Sequence, residues 1–399
     1  MIRGEDISAR IDAAAMLRET CEWAAINSGT GNLAGLAEVA GKLADAFSAL
    51  PGAIDLVEPA PVSAIDAAGH AVEREHGNHL VLRVRPEAER RLLITGHMDT
   101  VFPADHSFQT VKMADADTLH GPGTADMKGG LNVILHALRA FETTPEAARI
   151  GYDVMINSDE ETGSLSSAAL IAELAQGKYA AITYEPSALP DGTLAHARGG
   201  TGNYSITIRG RSAHAGRNPH DGRNAIVAAA DLVLRLVALE TKDITINPAK
   251  IEGGSANNVV PDLAVLRFNI RPRTSEAMRG FDQQLTDIVA ELAKDKEVTV
   301  HSHGGVTRPP KPVDAQAQKL FDLVRDCGAI LGQTIGWQPS GGVCDGNNIA
   351  ACGVPVVDTL GVRGGAIHSP DEYLIVPSLA ERAALSALVL GRLASGDPL

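Results

Sequence analysis

Leu92-Leu93-Ile94-Thr95-Gly96-His97-Met98-Asp99 is a short apolar run that gives way to a glycine, an imidazole and a carboxylate. It reads as a strand whose end delivers His97 into a loop. In an open α/β sheet, the loops at the carboxyl ends of strands form the usual ligand crevice. Extended backbone puts residues two apart on one side, so Asp99 can accept from the imidazole N–H and orient the ring toward a metal. Taken alone, the same three residues read equally as a capped loop with a satisfied histidine.

The punctuation recurs in four more segments. In Gly121-Pro122-Gly123-Thr124-Ala125-Asp126-Met127-Lys128-Gly129-Gly130, Asp126 stands before a helix and after residues that permit close backbone approach; a helix N-cap is the plain alternative. Asp159-Glu160-Glu161 closes a strand that begins near Tyr152. Adjacent acids at a buried strand end are costly unless a metal or a proton compensates, so one coordinates and the other handles protons; exposed loop acids are the alternative. Glu185 follows another apolar run, and Pro186 holds it extended. His368 follows the Gly-rich stretch 361–367, where a surface histidine is the alternative. Imidazole and carboxylate are the donors zinc takes in hydrolytic sites. His97, Asp126, Glu161, Glu185 and His368 suffice for two metals, with Asp99 and Glu160 left for orientation and acid–base work. In this order, each at a strand end, the segments point to cleavage of an amide bond by a metal-bound hydroxide.

Composition narrows the field. A chain of 399 residues is too long for one ordinary core, so two domains are expected. The formal charge of −14 argues against nucleic acid, whose phosphates need cationic neutralisation. No run of eighteen or more apolar residues suggests a membrane span. The charged amino-terminal stretch from Met1 to Asp6 shows no secretory signal (a chain trimmed of one would read the same). Cys21, Cys327, Cys344 and Cys352 form no disulfide or metal pattern, so reduced thiols and a cytoplasmic location are expected. Cys344 has no partner histidine nearby in sequence and reads as a small loop thiol.

Along the chain, helical periodicity over 8–25 and 32–48 precedes strands at 80–84 and 92–95, a helix at 128–141, a strand at 152–157, a helix at 164–175 and a strand at 180–184. Short apolar strands alternating with helices predict an α/β layer with a mixed, largely parallel sheet flanked by helices. The pattern then changes to strand 202–209, helix 224–238, strands 244–251 and 263–270, helix 275–294 and strand 298–302. This βαββαβ order predicts a small α+β sandwich. Pro309-Pro310-Lys311-Pro312 marks the exit, and helix 315–331 with strand 354–360 resumes the first pattern. The expected division is a discontinuous catalytic domain of 1–195 and 310–399, with an inserted lid of 196–309.

These motifs carry a resemblance. Hydrophobic-Gly-His97-x-Asp99-x-Val, Gly-x-Gly-x-x-Asp126-x-Lys-Gly-Gly, the Glu160-Glu161 pair and Ser212-Ala213-His214-Ala215-Gly216 are those of the two-zinc exopeptidase and aminoacylase family. That family includes acetylornithine deacetylase, succinyl-diaminopimelate desuccinylase and bacterial glutamate carboxypeptidase. The chain resembles the last most closely from His97 to Gly130 and at Tyr373, and the likeness spans nearly its whole length. The resemblance implies one zinc on His97, Asp126 and Glu185, and a second on Asp126, Glu161 and His368, with cobalt or manganese as alternatives. It implies Glu160 as general base toward a bridging hydroxide, Asp99 as the orienter of His97, and a cis peptide after Asp126. On the inserted domain it makes His214 an oxyanion donor reaching in from a dimer partner, Arg271 the clamp on a substrate carboxylate, and Asn258 a matching amide contact. The edge strand around Ile206 is expected to pair with its mate in a homodimer. Val343, Cys344 and His120 depart from the family's usual residues, and none is an expected ligand.

The expected activity is therefore zinc-dependent hydrolysis of an amide bond in a small peptide or N-acyl amino acid, releasing an amino acid with a free carboxylate. An aminopeptidase or dipeptidase is the nearest alternative, and Arg271 argues against it because a carboxylate clamp is useless for amine capture. A catalytically silent metal- or ligand-binding relative is a second; the presence of Glu160 argues against that. A two-metal phosphoesterase lacks a phosphate-cradling loop.

Overall fold

The structure is a computed structural model that describes residues 4–399. The described residues divide into two compact units: residues 4–60, 75–197 and 313–399 form the first, and residues 61–74 and 198–312 the second.

The first unit is built on a six-stranded sheet in the order Ala53–Val57, His79–Val84, Gly151–Asn157, Arg91–His97, Ala180–Thr183, Val356–Val357. The last four strands run parallel, and the first two join antiparallel. Period-two alternation sorts the side chains onto two faces. Leu80, Leu82, Leu92, Ile94, Val154 and Ile156 pack with helices Ala13–Ala24, Leu33–Phe47, Gly129–Glu142 and Pro377–Ser395. Val81, Leu93, Met155 and Ala181 pack on the other side with Ala168–Ala175 and Asp345–Ala351. A sheet covered on both faces frees only its strand ends for chemistry. Asp12, Asn32 and Asp314 cap their helices by accepting from Ala15, Gly35 and Ala317 amides, which explains where these helices begin.

Among the parts of this unit not assigned from sequence are a helix and a small sheet. Pro377–Ser395 is buried on nearly every side, so it lacks the polar stripe that marks a surface helix. A small second sheet, ordered Gly364–Gly365, Tyr373–Ile375, Thr118–His120, Lys112–Met113, pairs Tyr373 with His120 and so ties the His368 loop to the strand that leads into the Asp126 turn.

The second unit has the expected βαββαβ order. Its antiparallel sheet runs Ile244–Gly253, Leu263–Pro272, Thr201–Arg209, Thr299–Arg308. Tyr204, Ile206, Ile208, Phe268 and Ile270 pack with helices Ala225–Val237 and Ser275–Lys296. Two expectations are corrected here. Ile206 does not lie on an edge: its strand is flanked by Leu263–Pro272 on one side and Thr299–Arg308 on the other. The edges are Ile244–Gly253 and Thr299–Arg308. The unit also includes a hairpin, Val62–Ile65 with Ala71–Arg74, from within the segment assigned wholly to the first domain. Arg267 Nη2 donates to the Ile65 carbonyl at 2.8 Å, Arg209 Nη2 to that of Gly69 at 3.1 Å, and His303 Nε2 lies 2.9 Å from that of Ser63. These long-range bonds leave no local pattern in the sequence.

Gly130 is the second residue of the helix that follows the Asp126 turn, and a Cβ there would fall against the Tyr184 carbonyl. Gly130→Ala is expected to lower the urea unfolding midpoint, with a stability loss of about 1–3 kcal/mol from overpacking; an unchanged midpoint would contradict this close approach.

Candidate metal centre

The strand ends of the first unit place the acids and imidazoles together. His97 ends Arg91–His97, Glu160 and Glu161 open the turn directly after Gly151–Asn157, and Glu185 lies two residues past Ala180–Thr183. Asp126 occupies an irregular turn, Thr124–Lys128, entered through Gly123 at φ +69°. The Asp126–Met127 peptide is cis, as the resemblance implies. His368 enters from the loop between the short strands Gly364–Gly365 and Tyr373–Ile375, itself at φ +62°.

Asp126 is central. Its Oδ1 lies 3.1 Å from His97 Nε2 and its Oδ2 3.2 Å from His368 Nε2. Glu185 Oε2 is 3.5 Å from His97 Nε2, and Glu161 Oε2 is 3.2 Å from His368 Nε2. Each carboxylate oxygen of Asp126 therefore faces one imidazole, and each imidazole faces one further acid. Glu160 closes the group: its carboxylate, His97 and Glu185 offer donor atoms within 4.8 Å of one another, as do His97, Asp126 and Glu161. All five expected ligands and Glu160 come together. His97 is buried, while the His368 side chain is 53% exposed, so the two halves of the cluster differ in access to solvent.

The electrostatics are those of a site built for cations. Burial opposes the charged form of His97, but Glu185, Asp126 and Asp99 outweigh it and hold its pKa well above the ordinary value. Hydrogen bonds to Asp126 and Glu161 push His368 up to about 11. Burial, reinforced by the charge of Asp126, raises Glu161 to about 7, and burial also raises Glu185. Burial disfavours the charged form of Asp126, yet its contacts with His368 and His97 hold its pKa below the usual range. Glu185 Oε1 is buried with no hydrogen-bond partner. A buried acceptor left without a partner is costly, and a coordinated cation would satisfy it. The donors present fit a pair of divalent metals.

The surroundings hold these groups in place. His97 Nδ1 is 3.0 Å from the main-chain carbonyl of Asp99 and 3.4 Å from its carboxylate. The expected orienting contact is thus made chiefly by backbone. The Asp99 carboxylate instead accepts from the Glu160 and Glu161 amides, each at 3.2 Å, and from Thr30 Oγ1 at 2.7 Å. Sequence reasoning missed Thr30, which sits in a polar loop with no periodic signal. It also missed Glu372, whose carboxylate accepts from the Gly123, Ala125 and Asp126 amides. An acid four residues past His368, opening the run Glu372-Tyr373-Leu374-Ile375, was the signal available. The His120 ring packs edge-on against Phe108, and Nε2 lies 2.9 Å from the Pro370 carbonyl.

His214, Arg271 and Asn258 belong to the second unit. His214 is exposed, and its Nδ1 accepts from the Gly216 and Arg217 amides at 3.1 and 3.2 Å. This leaves the proton of the neutral ring on Nε2. Asn258 lies beside it, its carbonyl accepting from the Ala215 amide. Arg271 donates through Nε to Asn269 Oδ1 at 2.9 Å, and its terminal nitrogens have no partner among the described residues.

A cluster of this composition at the strand ends of a covered α/β sheet defines a metallohydrolase, and its substrates' scissile bond is an amide. Residues 93–392 match the Peptidase family M20/M25/M40, and the chain belongs to that family. It is 30% identical over 328 residues to carboxypeptidase G2 of Pseudomonas sp. (strain RS-16), covering 80% of this chain and 78% of that protein. It is 26% identical over 321 residues to a succinyl-diaminopimelate desuccinylase of Xanthomonas oryzae pv. oryzae, covering 76% and 83% of the two chains. Among solved structures, a tripeptidase from Staphylococcus aureus superposes with a TM-score of 0.73 at 25% identity, covering 96% of this chain and 99% of that one. An M20 family metallo-carboxypeptidase from Sulfolobus solfataricus gives 0.72 at 17% identity, covering 96% and 100%, and so shares the fold.

The pKa directions set the pH dependence of metal uptake. His97 and His368 are both raised, so the metal-free protein carries protons there at neutral pH that ligation must displace. Metal affinity is expected to rise with pH, by about tenfold per unit for each proton released, and to fall on acidification. Calorimetric titration near pH 7 in buffers of different ionisation enthalpy should show proton release; heats independent of buffer would contradict it.

Proposed function

We propose that this protein hydrolyses an amide bond and releases an amino acid with a free α-carboxylate, as a glutamate-type carboxypeptidase or an N-acyl-amino-acid deacylase. The observation that carries the reading is the division of the Asp126 carboxylate between two imidazoles, each with its own acid. His97, Asp126 and Glu185 would hold one cation, and Asp126, Glu161 and His368 the other. Zinc suits the mixed nitrogen and oxygen donors, with cobalt or manganese as substitutes. When bound, such a pair lowers the pKa of water to near neutrality and polarises the scissile carbonyl.

The chain's own residues supply the remaining chemistry. Glu160, placed beside His97 and Glu185, takes the proton of the attacking water and returns it to the departing nitrogen. Asp99 holds the Glu160 and Glu161 amides and so fixes the direction of both carboxylates. His214, reaching in from a dimer partner with Nε2–H directed away from its own backbone contacts, donates to the tetrahedral oxyanion. Arg271 offers an uncommitted guanidinium fork to the substrate carboxylate, in contrast to Arg267, which spends its nitrogens on Glu252, Ser205 and Ile65. Asn258 adds an amide contact next to His214. Resemblance to carboxypeptidase G2 and to a desuccinylase supports the same bond with different acyl groups.

We also infer a homodimer formed through the second unit. Helix Ala225–Val237 leaves Val227, Leu234 and Val237 exposed, Leu234 at 72%, and Ile251 is exposed on the edge strand Ile244–Gly253. Apolar side chains exposed together beside an open strand edge are a common dimer surface. Leu234→Glu is expected to shift the protein from dimer to monomer in sedimentation at micromolar concentration; a monomeric parent protein would reject the proposal.

The activity is tested by incubating metal-loaded protein with a panel of N-acyl amino acids, folate-type conjugates and dipeptides, and identifying the amino acid released. Turnover on substrates with a free α-carboxylate is expected. Glu160→Gln should lower turnover about a hundred- to ten-thousandfold and His214→Ala about a hundred- to thousandfold, both with metal content retained. No turnover on any member of the panel at full metal content would favour a catalytically silent relative.

A further inference from the structure

We propose that Glu372 is a positioning residue for the second cation site, locking the Asp126 turn and the His368 loop into the one geometry in which Asp126, Glu161 and His368 can share an ion. The inference rests on the reading of the cluster as a two-cation site, and it names a residue that contributes no ligand atom.

Glu372 is almost fully buried, 1% exposed. Its Oε1 accepts from the amides of Ala125 at 2.9 Å and Asp126 at 3.0 Å, and its Oε2 from that of Gly123 at 3.1 Å. Three amides of a tight turn that converge on one anion form a backbone nest, here made possible by the left-handed Gly123 at φ +69°. The main chain at the same residue is also committed: the Gly121 amide donates to the Glu372 carbonyl at 3.3 Å, and the Glu372 amide to the Ser369 carbonyl at 3.2 Å. A single residue thereby joins the turn that carries Asp126 to the loop that carries His368.

No other side chain does this job. The nest needs acceptors on both branches. Glutamine offers one oxygen and turns an NH2 toward an N–H, and alanine leaves three buried donors without partners. Partners that orient metal ligands typically change metal affinity by about 10- to 100-fold when removed.

The test is cobalt(II) titration of the metal-free full-length protein, following uptake by calorimetry and the visible cobalt spectrum. It compares the parent with Glu372→Gln, Glu372→Asp and, as a control, Asp153→Asn. Asp153 forms a buried pair with Lys178 at 2.6 Å near the opposite end of the same sheet, so its loss reports general destabilisation. The parent is expected to take up two cobalt ions. Glu372→Gln should weaken one of the two ions by about 10- to 100-fold and alter its spectrum, Glu372→Asp should recover part of the affinity, and Asp153→Asn should lower the melting temperature with metal affinity unchanged. Parent-like affinities in Glu372→Gln would overturn the inference alone. Uptake of fewer than two ions by the parent would overturn the two-cation reading on which it stands. If Glu372→Gln does not fold, the aspartate variant decides: parent affinity for both ions in that variant overturns the proposal.

Discussion

The buried carboxylate of Asp126, flanked by an imidazole on each oxygen, is the contact on which the site depends. Acids and imidazoles packed this closely, with little water to screen them, cannot all keep their ordinary ionisation. The shifts run in opposite senses within one cluster: Asp126 down, Glu161 and Glu185 up, both histidines up. Without cations the group is expected to retain protons, which ligation would displace. The rest of the first unit reads as the apparatus that makes such a crowded arrangement tolerable.

That apparatus is largely backbone. The Glu160 and Glu161 amides converge on Asp99, and the amides of the Asp126 turn converge on Glu372. Two buried acids thus each gather a loop that carries candidate ligands. Beneath them, the sheet is packed on both faces by separate apolar clusters, so its strand ends have a fixed spacing. The second unit is organised differently. Its antiparallel sheet has two edge strands, and helix Ala225–Val237 turns apolar side chains toward solvent.

Much of the site was legible because its ligands stand at sequence punctuation. Apolar runs such as Leu92-Leu93-Ile94-Thr95 signal strands, and their ends mark where side chains enter the crevice. The βαββαβ insertion was legible for the same reason, since alternation and helical periodicity are local. What escaped was non-local. The 61–74 hairpin belongs to the second unit through bonds to Arg209, Arg267 and His303, far along the chain. Ile206 looks like an edge residue in isolation, and only the pairing on both sides of its strand makes it internal. Glu372 and Thr30 act by accepting or donating to loops remote in sequence, which no spacing rule captures. Helix Pro377–Ser395 is buried almost all round and so carries little amphipathic signature.

The order of segments has a consequence for how the enzyme comes into being on the ribosome. His97, Asp126, Glu161 and Glu185 are all translated before the greater part of the second unit, and His368 only after it. Domains generally fold as units while synthesis continues. The first unit includes residues 313–399, with helix Pro377–Ser395 in its core, so the cluster is complete only once the carboxyl-terminal segment emerges and Tyr373 pairs with His120. Prematurely terminated products are thereby left without His368 and without part of the first unit's core.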